Sequence, residues 1–266
     1  MYDELCRIER LQAAWKKVRA NGAATGGDGV SRATFERALD HRLLRLQAAL
    51  ESGRYRPGPL RRVALRRADG RIRLLRIPGI GDRVVQAACQ RLLSERLDAR
   101  MSRESFAYRP ARSVPMALAR LRQLARGNRW ALDADIDGFF DNVPHGRLVD
   151  ELSIWIEDPR LVRLIGLWLG SFGREHGLAQ GAPIAPVLAN LYLHPLDVDL
   201  ERRGLAHVRY ADDFVVLTAS RRHALATWTV VADLLRRRGL ALQMEKTRIV
   251  HLSQGLDFLG ERFQPG

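Results

Sequence analysis

Apolar positions recur at helical spacing over residues 11–50, interrupted by the glycine-rich stretch 22–29, so two helices around a loop are expected. Val63-Ala64-Leu65 and Ile72-Arg73-Leu74 flank Asp69-Gly70, a dipeptide suited to a tight turn, and predict a β-hairpin. From Asp82 onward, Val84, Val85, Ala88, Cys89, Leu92, Leu93 and Leu97 keep one apolar helical face, and residues 113–124 predict another helix.

The pattern then changes. Residues 130–136 alternate as a strand does and run into Asp-Gly-Phe-Phe-Asp, whereas residues 160–169 return to helical spacing. Pro183 and Pro186 precede an apolar helical stretch through Leu191. Residues 207–217 are strand-like on both sides of Asp212-Asp213, which predicts a second hairpin. Leu225, Trp228, Val231 and Leu235 form a helical stripe that Gly239 should end, and β-like segments at 247–252 and 257–263 follow.

With 266 residues and 46% apolar content, the chain can bury a substantial core in one domain or two closely packed lobes. Its 44 Lys and Arg against 30 Asp and Glu give a net charge of +14, which favours a polyanionic partner through counterion release. Only Lys16, Lys17 and Lys246 are lysines, so nearly all the basicity is arginine, a bias that codon usage also produces. The charge is clustered, with nine arginines and one acid over residues 54–76, making the first hairpin basic. Nucleic acid is the expected partner. Cys6 and Cys89 form no C-x-x-C pair, which argues against a zinc knuckle or a disulfide framework and fits a reducing cytoplasm. The charged start and the absence of a run of about 20 apolar residues predict a soluble, cytoplasmic protein.

In Val208-Arg209-Tyr210-Ala211-Asp212-Asp213-Phe214-Val215-Val216-Leu217, two acids sit between strongly β-forming runs. Alone, such a pair is as readily a solvated turn. Asp135 ends another apolar strand, and if the two strands are neighbours their acidic ends converge. Clustered carboxylates repel and take up protons unless a cation neutralises them. Oxygen donors without His or Cys nearby favour Mg²⁺. Two such ions about 4 Å apart can activate a 3′-hydroxyl and stabilise departing pyrophosphate.

At these residues the sequence resembles reverse transcriptases of the bacterial group II intron-like lineage, over residues 21–263. Tyr210-Ala211-Asp212-Asp213 is similar to the family's catalytic box and Asp135-Ile136-Asp137-Gly138-Phe139-Phe140-Asp141-Asn142-Val143 to its first carboxylate motif. Gln180-Gly181-Ala182-Pro183-Ile184-Ala185-Pro186, with Asn190-Leu191-Tyr192-Leu193, resembles the template and nucleotide segment, and Leu256-Asp257-Phe258-Leu259-Gly260 the primer grip.

The resemblance implies an α+β, right-hand polymerase fold of fingers and palm, with an antiparallel palm sheet backed by helices; because the sequence ends just past the primer-grip segment, the helical thumb that normally follows is expected to be absent. Residues 1–128 would be an N-terminal extension and fingers with part of the palm, and 129–266 the palm with the catalytic motifs and primer-grip segment. It implies a metal-binding group of Asp135, Ile136, Asp212 and Asp213, led by Asp135 and Asp212, taking Mg²⁺ or Mn²⁺. Asp133, Asp137 and Asp141 are read as near but out of register. Phe140 falls where the family packs a side chain beneath the incoming sugar and excludes a 2′-hydroxyl, although Phe139 or Phe140 could equally be core. Arg67 and Arg73 fall where the family grips the triphosphate, and a generic phosphate-binding surface is the alternative. Gln180 and Gly181 suit close approach to a base pair. Lys246 falls where a lysine can protonate leaving pyrophosphate, with a solvated surface lysine as the alternative. Arg109 matches a template-side motif.

The implied activity is RNA-directed DNA polymerisation, adding dNTPs to the 3′-hydroxyl of a DNA or RNA primer on an RNA template. Ala-Pro-Ile-Ala-Pro stands where intron-encoded enzymes more usually have Gly-Val-Ile-Ser-Pro, which weakens an intron role. Together with the expected absence of a thumb, which a partner would have to supply, this makes the preferred role CRISPR-associated, working with an adaptation integrase to acquire spacers from RNA. A group II intron maturase, a defence or retroelement polymerase, and a binding protein on an inactive polymerase scaffold stay open. An RNA-dependent RNA polymerase shares the metal chemistry, and bulky Phe140 speaks against it.

Overall fold

The computed structural model describes residues 1–22, 24–66, 70 and 72–264, with Arg73 described by its backbone alone. Arg67 and Asp69, singled out above, lie outside the described residues. In chain order the helices and strands are α1 (Tyr2–Leu5), α2 (Ile8–Ala20), α3 (Arg32–Glu36), α4 (Leu39–Glu51), β1 (Arg61–Arg66), β2 (Ile72–Ile77), α5 (Ile80–Leu97), α6 (Val114–Ala125) and β3 (Trp130–Asp135). There follow α7 (Phe139–Asn142), α8 (His145–Trp155), α9 (Pro159–Phe172), α10 (Ala185–Arg202), β4 (Ala206–Tyr210), β5 (Asp213–Thr218), α11 (Arg221–Arg237), β6 (Arg248–His251), β7 (Leu256–Phe258) and β8 (Glu261–Phe263). This is the expected α+β class with antiparallel sheets.

The chain divides into two compact units, each assembled from two stretches: Met1–Leu97 with Pro144–Ala185, and Asp98–Val143 with Pro186–Gly266. The division does not fall at residue 128. Residues 98–128 belong with the sheet because Ala117, Leu118 and Leu121 of α6 pack into one apolar cluster with Val208 of β4 and Val215 of β5.

The first unit is built around α5. Its sequence shows one apolar face, yet Asp82, Arg83, Gln86 and Ser94 are buried too, because other elements of the unit close over the remaining faces. Burial of a carboxylate requires partners. Asp82 accepts from the Tyr55 hydroxyl at 2.6 Å and the Gly58 N–H at 2.9 Å, and Trp168 Nε1 donates to Tyr55 Oη at 3.0 Å. Burial raises the Asp82 carboxyl above its ordinary range, and the Tyr55 and Gly58 donors oppose it.

The glycine-rich stretch has a steric reason. A Cβ on Gly26 would lie 2.4 Å from the Pro78 carbonyl oxygen, and one on Gly27 2.3 Å from that of Pro59. The predicted basic hairpin is present, with β1 and β2 antiparallel from Arg61 opposite Ile77 to Arg66 opposite Ile72. Helix α8, which the periodicity reading passed over, buries Leu148, Leu152 and Trp155.

The second unit carries a four-stranded antiparallel sheet in the order β4-β5-β3-β6. Helix α11 packs on β3, β5 and β6. It buries Ala224, Thr227, Val231, Leu234 and Leu235, a stripe rotated from the expected one, which leaves Leu225 49% exposed. Gly239 ends it as predicted, with φ of 72° and the Leu240 N–H donating to Leu235 O at 2.9 Å. Helix α10 runs on past Leu191 and through Pro195 to Arg202. Cys6 and Cys89 are free and buried. Among the described residues no helix is long and apolar enough to cross a membrane.

Candidate active site

Asp135 is the last residue of β3 and Asp213 the first of β5, and the antiparallel register sets them directly opposite each other. Strands β4 and β5 are joined by Ala211 and Asp212 alone, since Tyr210 pairs with Asp213. The three expected carboxylates thus gather at one end of two neighbouring strands, the pairing on which the sequence reading made their convergence conditional. Asp133, read as out of register, proves otherwise: two residues from Asp135 on the same strand, it shares its face of the sheet. Asp133 accepts from Arg248 Nε at 2.9 Å.

The Asp213 carboxyl is pushed up to about 7, by burial first and then by the charges of Asp133, Asp212 and Asp135, with Lys246 opposing. Lys246 Nζ donates to Asp135 Oδ2 at 2.6 Å. A turn holds this lysine in place. The Gln243 N–H donates to Asp135 O at 2.8 Å, Gln243 O accepts from the Lys246 and Thr247 N–H groups at 3.2 and 2.9 Å, and Gln243 Nε2 donates to Asp137 Oδ1 at 3.0 Å. The side chain of Ile136 is buried. Its backbone forms an isolated antiparallel bridge with Leu242, flanked by the bonds from the Gln243 N–H to Asp135 O and from the Asp137 N–H to Ala241 O.

Among the described residues no group of three or more His, Cys, Asp or Glu is arranged as a ready-made metal cage. The donor set itself suits a hard divalent cation, because oxygen ligands repelling one another around a buried carboxylate are what such an ion relieves. In this structure Lys246 sets positive charge against Asp135.

Phe139 is 2% exposed and Phe140 9%, with their rings edge to face at 5.3 Å. Phe139 is core, and Phe140 stands at the core's margin. Gly138 precedes them at φ of 48°, where a Cβ would lie 2.9 Å from Asn142 Nδ2. The segment that resembles a primer grip forms the β7–β8 hairpin, turned through Leu259 and Gly260 at φ of 53° and 81°, as a two-residue turn of this kind requires. Leu256, Phe258 and Phe263 anchor it in the cluster with Val208 and Val215.

Two of the motif matches prove to be packed inside the protein. Arg109 faces its own loop: buried, it donates to Asp98 Oδ1 at 2.7 Å, to Asp98 O at 2.9 Å, to Ser105 O at 2.7 Å and to Ser102 O. Its hydrogen bonds bind residues 98–105 together, so the guanidinium is spent on structure. Asn190, Leu191, Tyr192 and Leu193, grouped with the template segment, are buried in the second unit, where Asn190 Nδ2 donates to Ala107 O at 2.7 Å.

Sequence reasoning missed what lies behind the Ala211-Asp212 turn. Arg209, 1% exposed, grips Asp197 through Nε and Nη2 at 2.7 and 2.6 Å and reaches Asn190 Oδ1 and Ala211 O through Nη1 at 3.0 and 2.9 Å. The available signal was a charge inside each of two apolar runs, since a buried Arg demands a buried acid.

Gln180, Arg76 and Arg73 belong to the other unit. There the Arg76 N–H of β2 donates to Gln180 O at 2.9 Å, and Gly181 sits at φ of 111° with its Cβ position 3.4 Å from Arg76 O. The Gln180 turn is thus docked on the basic hairpin. Arg73 lies in β2 opposite Leu65.

Residues 65–263, which take in β2 of the basic hairpin and the four-stranded antiparallel sheet with its paired acidic strand ends, match the family model for reverse transcriptase (RNA-dependent DNA polymerase). The chain belongs to the reverse transcriptase family. It is 30% identical to Protein YkfC of Escherichia coli (strain K12), covering 98% of this chain and 84% of that one. It is also 30% identical to the group II intron-encoded protein LtrA of Lactococcus lactis subsp. cremoris, over 74% of this chain and 34% of LtrA. A solved "Partial Cas6-RT-Cas1--Cas2 complex" is 27% identical with a TM-score of 0.54, covering 89% of this chain and 41% of that chain. Telomerase from Candida albicans shares the fold, with a TM-score of 0.59 over 88% of this chain and 50% of that one, at 12% identity. The chain thus spans most of YkfC and well under half of LtrA and of the complex's chain.

Proposed function

We propose that this chain extends a DNA or RNA primer with dNTPs on an RNA template, and that Asp135, Asp212 and Asp213, with the Ile136 carbonyl, form its divalent-metal site for Mg²⁺ or Mn²⁺. The observation that carries this reading is the register of Asp135 against Asp213 at the ends of neighbouring strands, with Asp212 in the adjoining turn. Metal bound there would supply the charge that activates the primer 3′-hydroxyl and neutralises departing pyrophosphate.

The chain's own residues do the rest. Lys246, ion-paired with Asp135, is a proton donor for the leaving group. Phe140 sets the edge against which a 2′-hydroxyl would clash, giving a dNTP preference. Arg67 and Arg73 grip the triphosphate, and Gln180, carried by the turn docked on β2, meets the templating pair. The sheet-bearing unit, starting at Asp98, takes the palm role, and the hairpin-bearing unit that of the fingers.

For the biological errand we favour CRISPR spacer acquisition beside an adaptation integrase. The likeness to the Cas6-RT-Cas1 complex supports it, as does the Ala-Pro-Ile-Ala-Pro segment. The likeness to LtrA supports the second reading, an intron maturase. Primer extension on a primed RNA, with dNTPs or rNTPs and with Mg²⁺ or Mn²⁺, tests the activity: DNA products are expected, and no product in any combination refutes it. Co-purification with an integrase tests the errand, and its failure beside an active polymerase would overturn the CRISPR role alone.

A further inference from the structure

The turn that carries Asp212 is built from a disfavoured residue. Two-residue hairpin turns need left-handed backbone, which Gly, Asn or Asp usually supplies. Here Ala211 stands at φ of 62°, where the Cβ of an L-residue crowds its own carbonyl. Such a conformation persists only where its surroundings over-determine it.

Those surroundings are a buried polar network. The Ala211 carbonyl accepts from Arg209 Nη1 at 2.9 Å, and Asn190 Oδ1 accepts from the same nitrogen at 3.0 Å. Asp197, fully buried in α10, takes Nε and Nη2 in a fork. Asn190 is itself fixed by its 2.7 Å bond to Ala107 O. The backbone of Arg209 is held as well, its N–H donating to Glu104 O at 2.8 Å and its carbonyl accepting from the Phe106 N–H at 2.9 Å. The guanidinium therefore has one orientation. A buried ion pair is seldom the cheapest way to fill a core, so its use here fits a demand for one defined conformation.

We infer that Arg209 is a positioning residue, which acts through the Ala211 carbonyl to hold Asp212 and Asp213 in register with Asp135, with Asp197 and Asn190 fixing Arg209 in turn. This rests on the polymerase reading for its catalytic consequence. Lysine at 209 would keep the charge beside Asp197 but lacks the planar fork that serves Asp197, Asn190 and Ala211 together.

The test compares wild type with Arg209→Lys, Asp197→Asn and the double variant Arg209→Lys/Ala211→Gly. Thermal melting, primer–template Kd by fluorescence anisotropy, kcat and KM for dNTP, and Mn²⁺ binding to the protein alone by electron paramagnetic resonance are measured for each. Arg209→Lys should melt cooperatively and bind primer–template as wild type does, with kcat down by roughly ten- to a hundredfold, as small displacements of reacting groups produce. Mn²⁺ affinity should fall by roughly tenfold, the usual effect of disturbing groups behind metal ligands. Glycine at 211 accepts the left-handed turn without strain, so the double variant should recover part of kcat. A folded Arg209→Lys with wild-type kcat and Mn²⁺ affinity would overturn the inference. So would loss of cooperative melting in both single variants, which would make the pair a folding element. A wild type without polymerase activity would refute the functional reading, while the Mn²⁺ comparison would still decide the positioning role.

Discussion

Lys246 donates a 2.6 Å hydrogen bond to Asp135, the carboxylate that stands opposite Asp213 across the β3–β5 pair. Both partners of this ion pair are over a third exposed, so its contribution to stability is about 0–1 kcal/mol. If its purpose is proton donation, stability and rate should separate. Lys246→Ala should keep its melting temperature and lose kcat by roughly a hundredfold. Lys246→Arg should restore the ion pair without restoring the rate, because a guanidinium does not give up its proton. Equal kcat in the Lys and Arg proteins would leave Lys246 a surface cation.

Phe140 lies at the margin of the core beside the fully buried Phe139. Phe140→Val should open the sugar position, so that the preference for dNTP over rNTP, taken as a ratio of kcat/KM, falls by roughly tenfold or more. An unchanged ratio in a folded, active variant would assign Phe140 to packing.

In the other unit, Tyr55 donates to Asp82 and accepts from Trp168. Tyr55→Phe leaves a buried carboxyl and an indole N–H short of a partner at a cost of about 1–3 kcal/mol. At this chain length Tm should drop by roughly 2–4 °C for each kcal/mol lost. A melting curve superposable on wild type would mean that the hydroxyl adds nothing.

Burial works to raise the Asp197 carboxyl, yet the charge and hydrogen bonds of Arg209, with His207 3.7 Å away adding to them, outweigh it and hold the group at about 2, below the ordinary 3.8. A depressed carboxylate contributes stability that is complete above its unfolded value and lost as pH falls through its folded value. The stability gap between wild type and Asp197→Asn should therefore be constant at neutral pH and close between about pH 4 and pH 2. Denaturant melts across that range would show it, and a gap independent of pH would mean that the carboxylate's charge is not what matters.

Much of this arrangement was legible in the sequence where a local rule applied. Val208 and Val215 on either side of the acidic pair pointed to the β4–β5 hairpin, and Gly239 to the end of α11. The Asp135–Asp213 opposition could be stated only conditionally, because strand neighbourhood is a non-local fact that periodicity does not encode. Position within a strand could mislead as well, as Asp133 shows by sharing the face of Asp135. The network behind the turn was hidden for a different reason. Asp197 lies two residues beyond Pro195, which reads as a helix stop, although α10 passes through it. Arg209 is one of 44 basic residues, and its local sequence does not name the buried acid that partners it. For Arg109 a motif match alone carried no information on its partners, which are the backbone and Asp98 carboxylate of its own loop.

The most direct test of the account is single-nucleotide incorporation on a primed RNA template with Mg²⁺, comparing wild type with Asp135→Asn and Asp212→Asn. Each variant keeps the side-chain shape and removes one charge from the group proposed to hold the metal. The account predicts dNTP addition by wild type and a loss of about a thousandfold or more in each variant, equivalent to several kcal/mol of transition-state stabilisation, with primer–template binding retained. Wild-type rates in either variant would contradict the assignment of these carboxylates to the metal site.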